Sequence, residues 1–341
     1  MRHPERLLPE FGLDALKKIV GESTTSHMPP VGFDPMTAPQ AELLALGFPS
    51  RPNPGFQPAE YAIWKDMFAA PLAFTDFAFD ILPSFTAQSR GFFGQLPRRQ
   101  TSGNWSGAYI TPRDGTVFRS IWGRWRVPAP VLPPGGVAAD KYRSSTWIGF
   151  DGQRLYFRST LPQIGTAQVI DEVTGAAVYS AWWQWWVRND IGQAYPITLT
   201  GFAIQANDRI KCYMKVSKNR RKVFFLIKNS STGQLKHFVQ RAPLANLHRR
   251  FTVTGATAEW VMERPADAPD PTPLPLPDYG TVDFRHCGAS AINRDTGAKV
   301  ERSLSAARLI DMYIVKQNPE RTVKISIAKP INVTEFLTRY Q

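Results

Sequence analysis

Residues Tyr179–Val187 read YSAWWQWWV, four tryptophans in five positions with the polar Gln184 among them. Aromatic residues at this density favour a strand, and a strand sends alternate side chains to opposite faces. Trp182, Gln184 and Trp186 then share one face, and Trp183 and Trp185 share the other. One aromatic layer fits a core. A second layer with a polar group at its centre fits the wall of a groove, or a second buried face on which a neighbour satisfies Gln184. The stretch alone leaves both open.

The strand pattern extends outward from there. From about Thr101 the apolar period is 2, and Ser106–Ile110, Val117–Val127, Ser145–Phe150, Ile197–Ile204, Arg209–Val216, Val223–Asn229, Lys236–Arg241 and Thr257–Met262 read as strands. In Arg209–Val216, Ile210, Cys212, Met214 and Val216 point inward, while Arg209, Lys211, Tyr213 and Lys215 point outward. Turn signals such as Arg113-Asp114-Gly115, Asn207-Asp208 and Ser231-Thr232-Gly233 separate the runs. After an irregular, proline-rich stretch at Ala266–Pro277, the segments Thr281–Arg285, Arg308–Val315 and Thr322–Ala328 can add further strands. Many short strands without intervening helices predict an all-β fold, an antiparallel sandwich or jelly roll.

Residues 1–100 follow a different period. Leu13, Leu16 and Ile19 fit one face of a helix stopped by Gly21; Thr37 caps a second through Leu46; Pro58 opens a third carrying Tyr61, Ile63, Trp64 and Phe68. This partly helical arm is expected to wrap the domain 101–341, to act as a prosegment or to serve assembly. Pro97-Arg98-Arg99 would suit proteolytic trimming.

Composition narrows the function classes. A chain of 341 residues with 43% hydrophobic and 20% charged residues is globular. The net charge of +13 would suit an acidic partner. The cations are dispersed, however, the tight cluster Ser217–Lys222 reads as a solvated hairpin tip, and no C2H2, RNP1 or basic-zipper pattern occurs, so nucleic acid is not expected as a partner. No run is long enough to cross a bilayer and no membrane partner is expected. The amino terminus alternates charges with leucines, unlike a secretory signal, so the sequons at Asn104, Asn229 and Asn332 are expected to be silent. Cys212 and Cys287 form neither a disulfide framework nor a CxxC site, and the five histidines lack metal-ligand spacing. HExxH, GxSxG, GxxxxGK[ST] and GxGxxG are all absent. An enzyme built on this chain would work without metal or cofactor, through carboxylates and amides.

Five segments carry a resemblance. They are Asn104-Trp105-Ser106-Gly107-Ala108, Trp147-Ile148-Gly149-Phe150-Asp151-Gly152, Leu161-Pro162-Gln163-Ile164-Gly165-Thr166, Ala181–Trp186 and Ala258-Glu259-Trp260-Val261-Met262-Glu263. In order and spacing they are similar to the eqolisins, the glutamic peptidases of family G1, formerly A4. The resemblance covers about residues 103–316 and implies a two-sheet, concanavalin-like β-sandwich whose concave face binds an extended polypeptide. It also implies a catalytic pair falling on Gln163 and Glu263, with Trp105, Trp147, Asp151, Trp182, Gln184 and Trp186 lining the cleft. A glutamate can take a proton from the attacking water and return it to the leaving nitrogen; a glutamine can donate to the oxyanion without titrating. Without the resemblance, Gln163 would read as a loop residue, Glu263 as a strand end and Asp151 as a turn former. Family members are usually secreted, which this amino terminus does not match.

The departures bear on pH. Ser180 and Gln184 stand where the fungal enzymes carry acids, Trp186 replaces a tyrosine, and Arg264-Pro265-Ala266 replaces an acidic and aromatic run. Fewer carboxylates near Glu263 and an arginine beside it are expected to favour its charged form and to extend activity beyond strongly acid pH. The alternative is a lectin-like module holding glycan or peptide in a tryptophan-lined groove, for which Gln163 and Glu263 would not both be required.

Overall fold

The computed structural model describes residues 12–81, 92–96, 99–152, 160–187, 195–246, 249–266, 272–317 and 319–341. The alternation at Tyr179–Val187 takes physical form there. Trp183 and Trp185 enter the main core, where Trp183 meets Phe225 and Phe238 at centroid distances of 5.8 and 5.3 Å. Trp182 and Trp186 belong to a separate cluster on the other face.

The sandwich strands are β1 (Trp105–Ile110), β2 (Thr116–Arg126), β3 (Arg143–Phe150), β4 (Leu161–Ile170), β5 (Ala177–Trp186), β6 (Ile197–Thr200), β7 (Arg209–Val216), β8 (Lys222–Asn229), β9 (Gln234–Arg241), β10 (Ala258–Glu263), β11 (Thr281–Asn293), β12 (Arg308–Lys316), β13 (Arg321–Asn332) and β14 (Glu335–Tyr340). A front sheet runs β6–β5–β4–β3–β10–β1–β12–β13–β14, all antiparallel. A back sheet runs β11–β2–β7–β8–β9, also antiparallel. β11 joins them, pairing β14 through Thr281–Phe284 and β2 from Arg285 onward, with a register shift at the bend. Between the sheets lie Ile164, Trp183, Trp260 and Met262 from the front, and Cys212, Met214, Phe225 and Phe238 from the back. Both cysteines are buried and free. Ser217–Lys222 forms the β7–β8 turn, where Ser217 N–H donates to the Lys222 carbonyl.

β4 goes beyond the sequence pattern, which predicts no strand at Leu161–Ile170 and, the resemblance aside, reads Gln163 as a loop residue. Pro162 precedes the rung at which β3 pairing begins, so the residue that demotes this run in the sequence sits where a missing N–H is tolerated. β11 is likewise longer than Thr281–Arg285, because it continues past its bend into the second sheet.

The arm differs in detail from expectation. Helix α1 (Leu13–Ser23) runs past Gly21. Helix α2 (Gln40–Ala45) starts after Pro39, since the Thr37 hydroxyl donates instead to Asp34 in the preceding turn. Helix α3 (Pro58–Phe68) begins at the proline, as expected. Trp64 and Met67 of α3 pack with Phe48 against Trp122, Tyr213, Leu226 and Leu235 on the outer face of the back sheet. Lys211, Tyr213 and Lys215 therefore point out of the sandwich but not into water. A period of 2 defines two faces without naming what covers the second. Here Lys211 pairs with Asp66 at 2.6 Å and Lys215 with Glu60 at 3.2 Å.

Glu60 is fully buried and also accepts from Tyr213 Oη and Ser290 Oγ, each at 2.5 Å. Burial pushes its carboxyl up, but the Lys215 ammonium and these hydrogen bonds outweigh burial and hold it below the usual range. The arm also extends both sheets. Thr24–Thr25 and Ala73–Phe74 add to β9, Ala78–Ile81 to β6, and Arg99–Ser102 runs parallel to β12. Arg99 of the expected trimming site grips Asp311 through two 2.7 Å bonds; Pro97 and Arg98 lie outside the described residues.

The Trp64→Ala variant is expected to lose about 3–5 kcal/mol of stability, read from urea unfolding. His237 supplies a pH signature of the docked arm. Its ring stacks on Phe48 at 3.7 Å, and Nε2 meets the Leu46 carbonyl at 3.0 Å with His27 nearby. Burial pulls its pKa down to about 4. The unfolded chain then takes up the proton first, so this contribution is complete above about pH 6.5 and is lost as pH falls through about 4. His237→Gln should flatten the fall in urea midpoint over that window relative to the unsubstituted chain.

Candidate active site

The outer face of the front sheet collects the residues singled out in the sequence. β1 contributes Trp105 and Tyr109, β3 Trp147, β4 Gln163, β5 Trp182 and Trp186, and β10 Glu259, Val261 and Glu263. Gln163 lies opposite Gly149 on one side and Gln184 on the other. Glu263 lies between Trp105 and Ser145. The Gln163 rung continues through Gly149 to Glu259, so Glu263 stands further along β10, with Trp147 at the intermediate position on β3.

Close approach shapes this face. Gly165 sits between Trp147 and Trp182. A Cβ there would lie 2.1 Å from the Thr146 carbonyl and 2.6 Å from Trp147 Cβ, so only glycine admits this spacing. Trp105 and Trp147 then meet edge to face at 5.0 Å.

Both expected catalytic residues are completely buried. Glu263 Oε2 accepts from the Trp147 indole N–H at 2.8 Å, and Oε1 receives a longer contact from Asn104 Nδ2 at 3.5 Å. Gln163 Nε2 donates to Gln184 Oε1 at 3.0 Å. Gln184 is thus satisfied by a neighbour and also orients Gln163. Gln163 Oε1 and the indole nitrogens of Trp105 and Trp182 have no hydrogen-bond partner among the described residues. Buried polar atoms are normally paired, so three unmet groups in one aromatic cluster mark a face prepared for a polar guest.

Asp151 lies at the edge of this face at a positive φ, and its carboxylate accepts from the amides of Thr254, Gly255 and Ala256. It fixes the turn leading into β10. Burial, only partly offset by those amides, raises its pKa. Glu259, which the sequence reading passed over, accepts from Gly152 N–H at 3.0 Å and from the Thr257 hydroxyl. Burial, reinforced by Asp151, lifts Glu259 well above the usual carboxylate range. Asn104 was also passed over as a site residue. Its adjacency to Trp105 in the first motif is the signal that could have found it.

The tryptophan face is covered, not an open groove. Leu274 packs into its cluster. Arg264 turns to the proline-rich segment, donating from Nε to the Leu274 carbonyl at 2.8 Å and from Nη2 to the Pro273 carbonyl at 2.6 Å. Burial lowers the Arg264 pKa to about 10.

The sequence profile of the peptidase A4 family matches residues 103–334, taking in every strand that bears a site residue and leaving the arm outside. The chain belongs to the peptidase A4 family. It is therefore a hydrolase of polypeptides, as the motifs implied. Comparison with curated proteins yields no match. Among solved structures, aspergilloglutamic peptidase from Aspergillus niger shares 20% identity over 59% of this chain and 99% of its own, at a TM-score of 0.44. Tailspike protein 2 of an Escherichia coli O157:H7 bacteriophage shares 11% over 64% of this chain and 26% of its own, at a TM-score of 0.28. Superpositions this loose add nothing to the family assignment.

The indole–carboxyl contact should be measurable as coupling. A double-mutant cycle combining Trp147→Phe with Glu263→Ala is expected to give about 1–3 kcal/mol between the two positions. Additive losses would mean that the hydrogen bond does not hold Glu263.

Proposed function

We propose that the chain is a glutamic endopeptidase in which Glu263 is the general base and acid and Gln163 stabilises the oxyanion. The observation that carries this reading is their setting on one aromatic face, each oriented by a neighbour: Glu263 by Trp147, Gln163 by Gln184. An extended polypeptide would lie across Trp105, Trp182 and Trp186, taking up the indole N–H groups that lack partners and displacing Leu274. Its scissile carbonyl would sit over Trp147, between the two side chains.

Water attacks that carbon while Glu263 removes its proton, and the carbonyl electrons move onto oxygen. A glutamine amide has two N–H bonds. One holds Gln184, leaving the second for the oxyanion. Collapse of the tetrahedral intermediate breaks the C–N bond as Glu263 returns the proton to nitrogen. No covalent enzyme intermediate forms. Because Gln184 is an amide, the orientation of Gln163 does not titrate, and cleavage should extend above the strongly acid range. The arm is a retained part of the active form, since removing it would bare Trp122, Leu226 and Leu235 and strip the partners of Lys211 and Lys215.

Cleavage of a denatured protein substrate across pH tests this. Glu263→Gln is expected to lose about 10²–10⁴-fold in kcat, and Gln163→Ala about 10²–10³-fold, with both variants folded. Undiminished cleavage by folded Glu263→Gln would overturn the assignment.

A further inference from the structure

On the side of the sandwich away from Gln163 and Glu263, the back sheet carries a row of cations. Arg285 on β11 lies opposite Arg124 on β2, Arg124 opposite Lys211 on β7, and Lys211 opposite Lys228 on β8. Two residues along the same face, Arg126 lies opposite Arg209. Like charges directly opposite one another in a sheet are destabilising. All six nevertheless line a single cavity of about 700 Å³, which Asp66 and Ala69–Pro71 of the arm wall on one side.

Six cations face two carboxylates there, and both carboxylates are engaged. Asp66 lies 2.6 Å from Lys211 and 3.8 Å from Arg124, and Asp283 lies 2.9 Å from Arg285. Lys228 donates to the Ala69 carbonyl; burial, and after it the Lys211 charge, bring its pKa down to about 8. That leaves the exposed pair at the next rung. Arg126 makes a long 3.4 Å contact with the Asn207 carbonyl, and the Arg209 guanidinium has no hydrogen bond or ion pair among the described residues. The cavity has the size of a small-molecule site, and guanidinium forks match phosphate and carboxylate oxygens two at a time.

We propose that this cavity binds a small polyanion bearing two or more phosphate or carboxylate groups, with Arg126 and Arg209 supplying the free donors and Arg124, Lys211 and Arg285 the surrounding positive field. The site is independent of the peptidase reading, since it lies on the opposite sheet and uses none of the same residues.

Isothermal titration of the full chain at low ionic strength, with tripolyphosphate and separately with citrate, tests the proposal. Saturable one-site binding is expected. Tighter binding of tripolyphosphate identifies phosphate as the natural group, and tighter citrate identifies carboxylate. Arg126→Ser/Arg209→Ser should weaken binding by about tenfold or more. Lys218→Ser/Arg221→Ser, which removes the same charge from the exposed β7–β8 turn, should leave it within about twofold. Both replaced arginines are exposed, and a thermal melt checks that each variant folds. No saturable binding of either anion, equal loss in the two double variants, or full binding by Arg126→Ser/Arg209→Ser would overturn the proposal.

Discussion

A strand buried on both faces has no position at which an unpartnered polar group is free of cost, and the front sheet of this molecule obeys that constraint along β4, β5 and β10. Inward positions are filled by Ile164, Trp183, Trp185, Trp260 and Met262. Outward positions alternate tryptophans with a few polar groups, and those groups are held by one another: Gln163 by Gln184, Glu263 by Trp147. Among the groups left without a partner, Gln163 Oε1, Glu259 Oε2 and the indole N–H groups of Trp105 and Trp182 all lie on this outward face. The chemistry of the site thus grows from the packing rule that builds the sheet. Glycines at 149 and 165 complete it, leaving the strands close enough for the rings to interlock.

The back sheet meets the same constraint with a different cover. Its outer face carries Trp122, Tyr213, Leu226 and Leu235, too much apolar surface to leave in water, and α3 supplies Trp64 and Met67 to match. A buried Glu60 paired with Lys215, Tyr213 and Ser290 adds register to that contact. Removing one partner of such a network would strand a buried charge. The arm therefore behaves as a third layer of the fold, and the cationic cavity opens where this layer ends.

Much of the sandwich was legible because inward and outward residues alternate without interruption in runs such as Arg209–Val216. β4 was not legible, because Pro162 and Gly165 are locally strand breakers and only their position in the register excuses them. The two tryptophan faces followed from spacing, but the cover of Leu274 over one of them did not, since Arg264 reaches it through backbone carbonyls that carry no sequence signature. In the same way, the outward lysines of β7 were legible as one face, whereas their burial beneath α3 depends on contacts more than a hundred residues away in the chain.

Affinity for a peptide in which a tetrahedral hydroxyl-bearing carbon replaces the scissile carbonyl is the most direct measurement of whether Gln163 and Glu263 act on one reacting carbon. Transition-state mimics bind about 10² to 10⁸-fold more tightly than the substrates they imitate. Tight binding to the unsubstituted chain is expected, lost to the level of an ordinary peptide in both Glu263→Ala and Gln163→Ala. Equal affinity in all three proteins would contradict it.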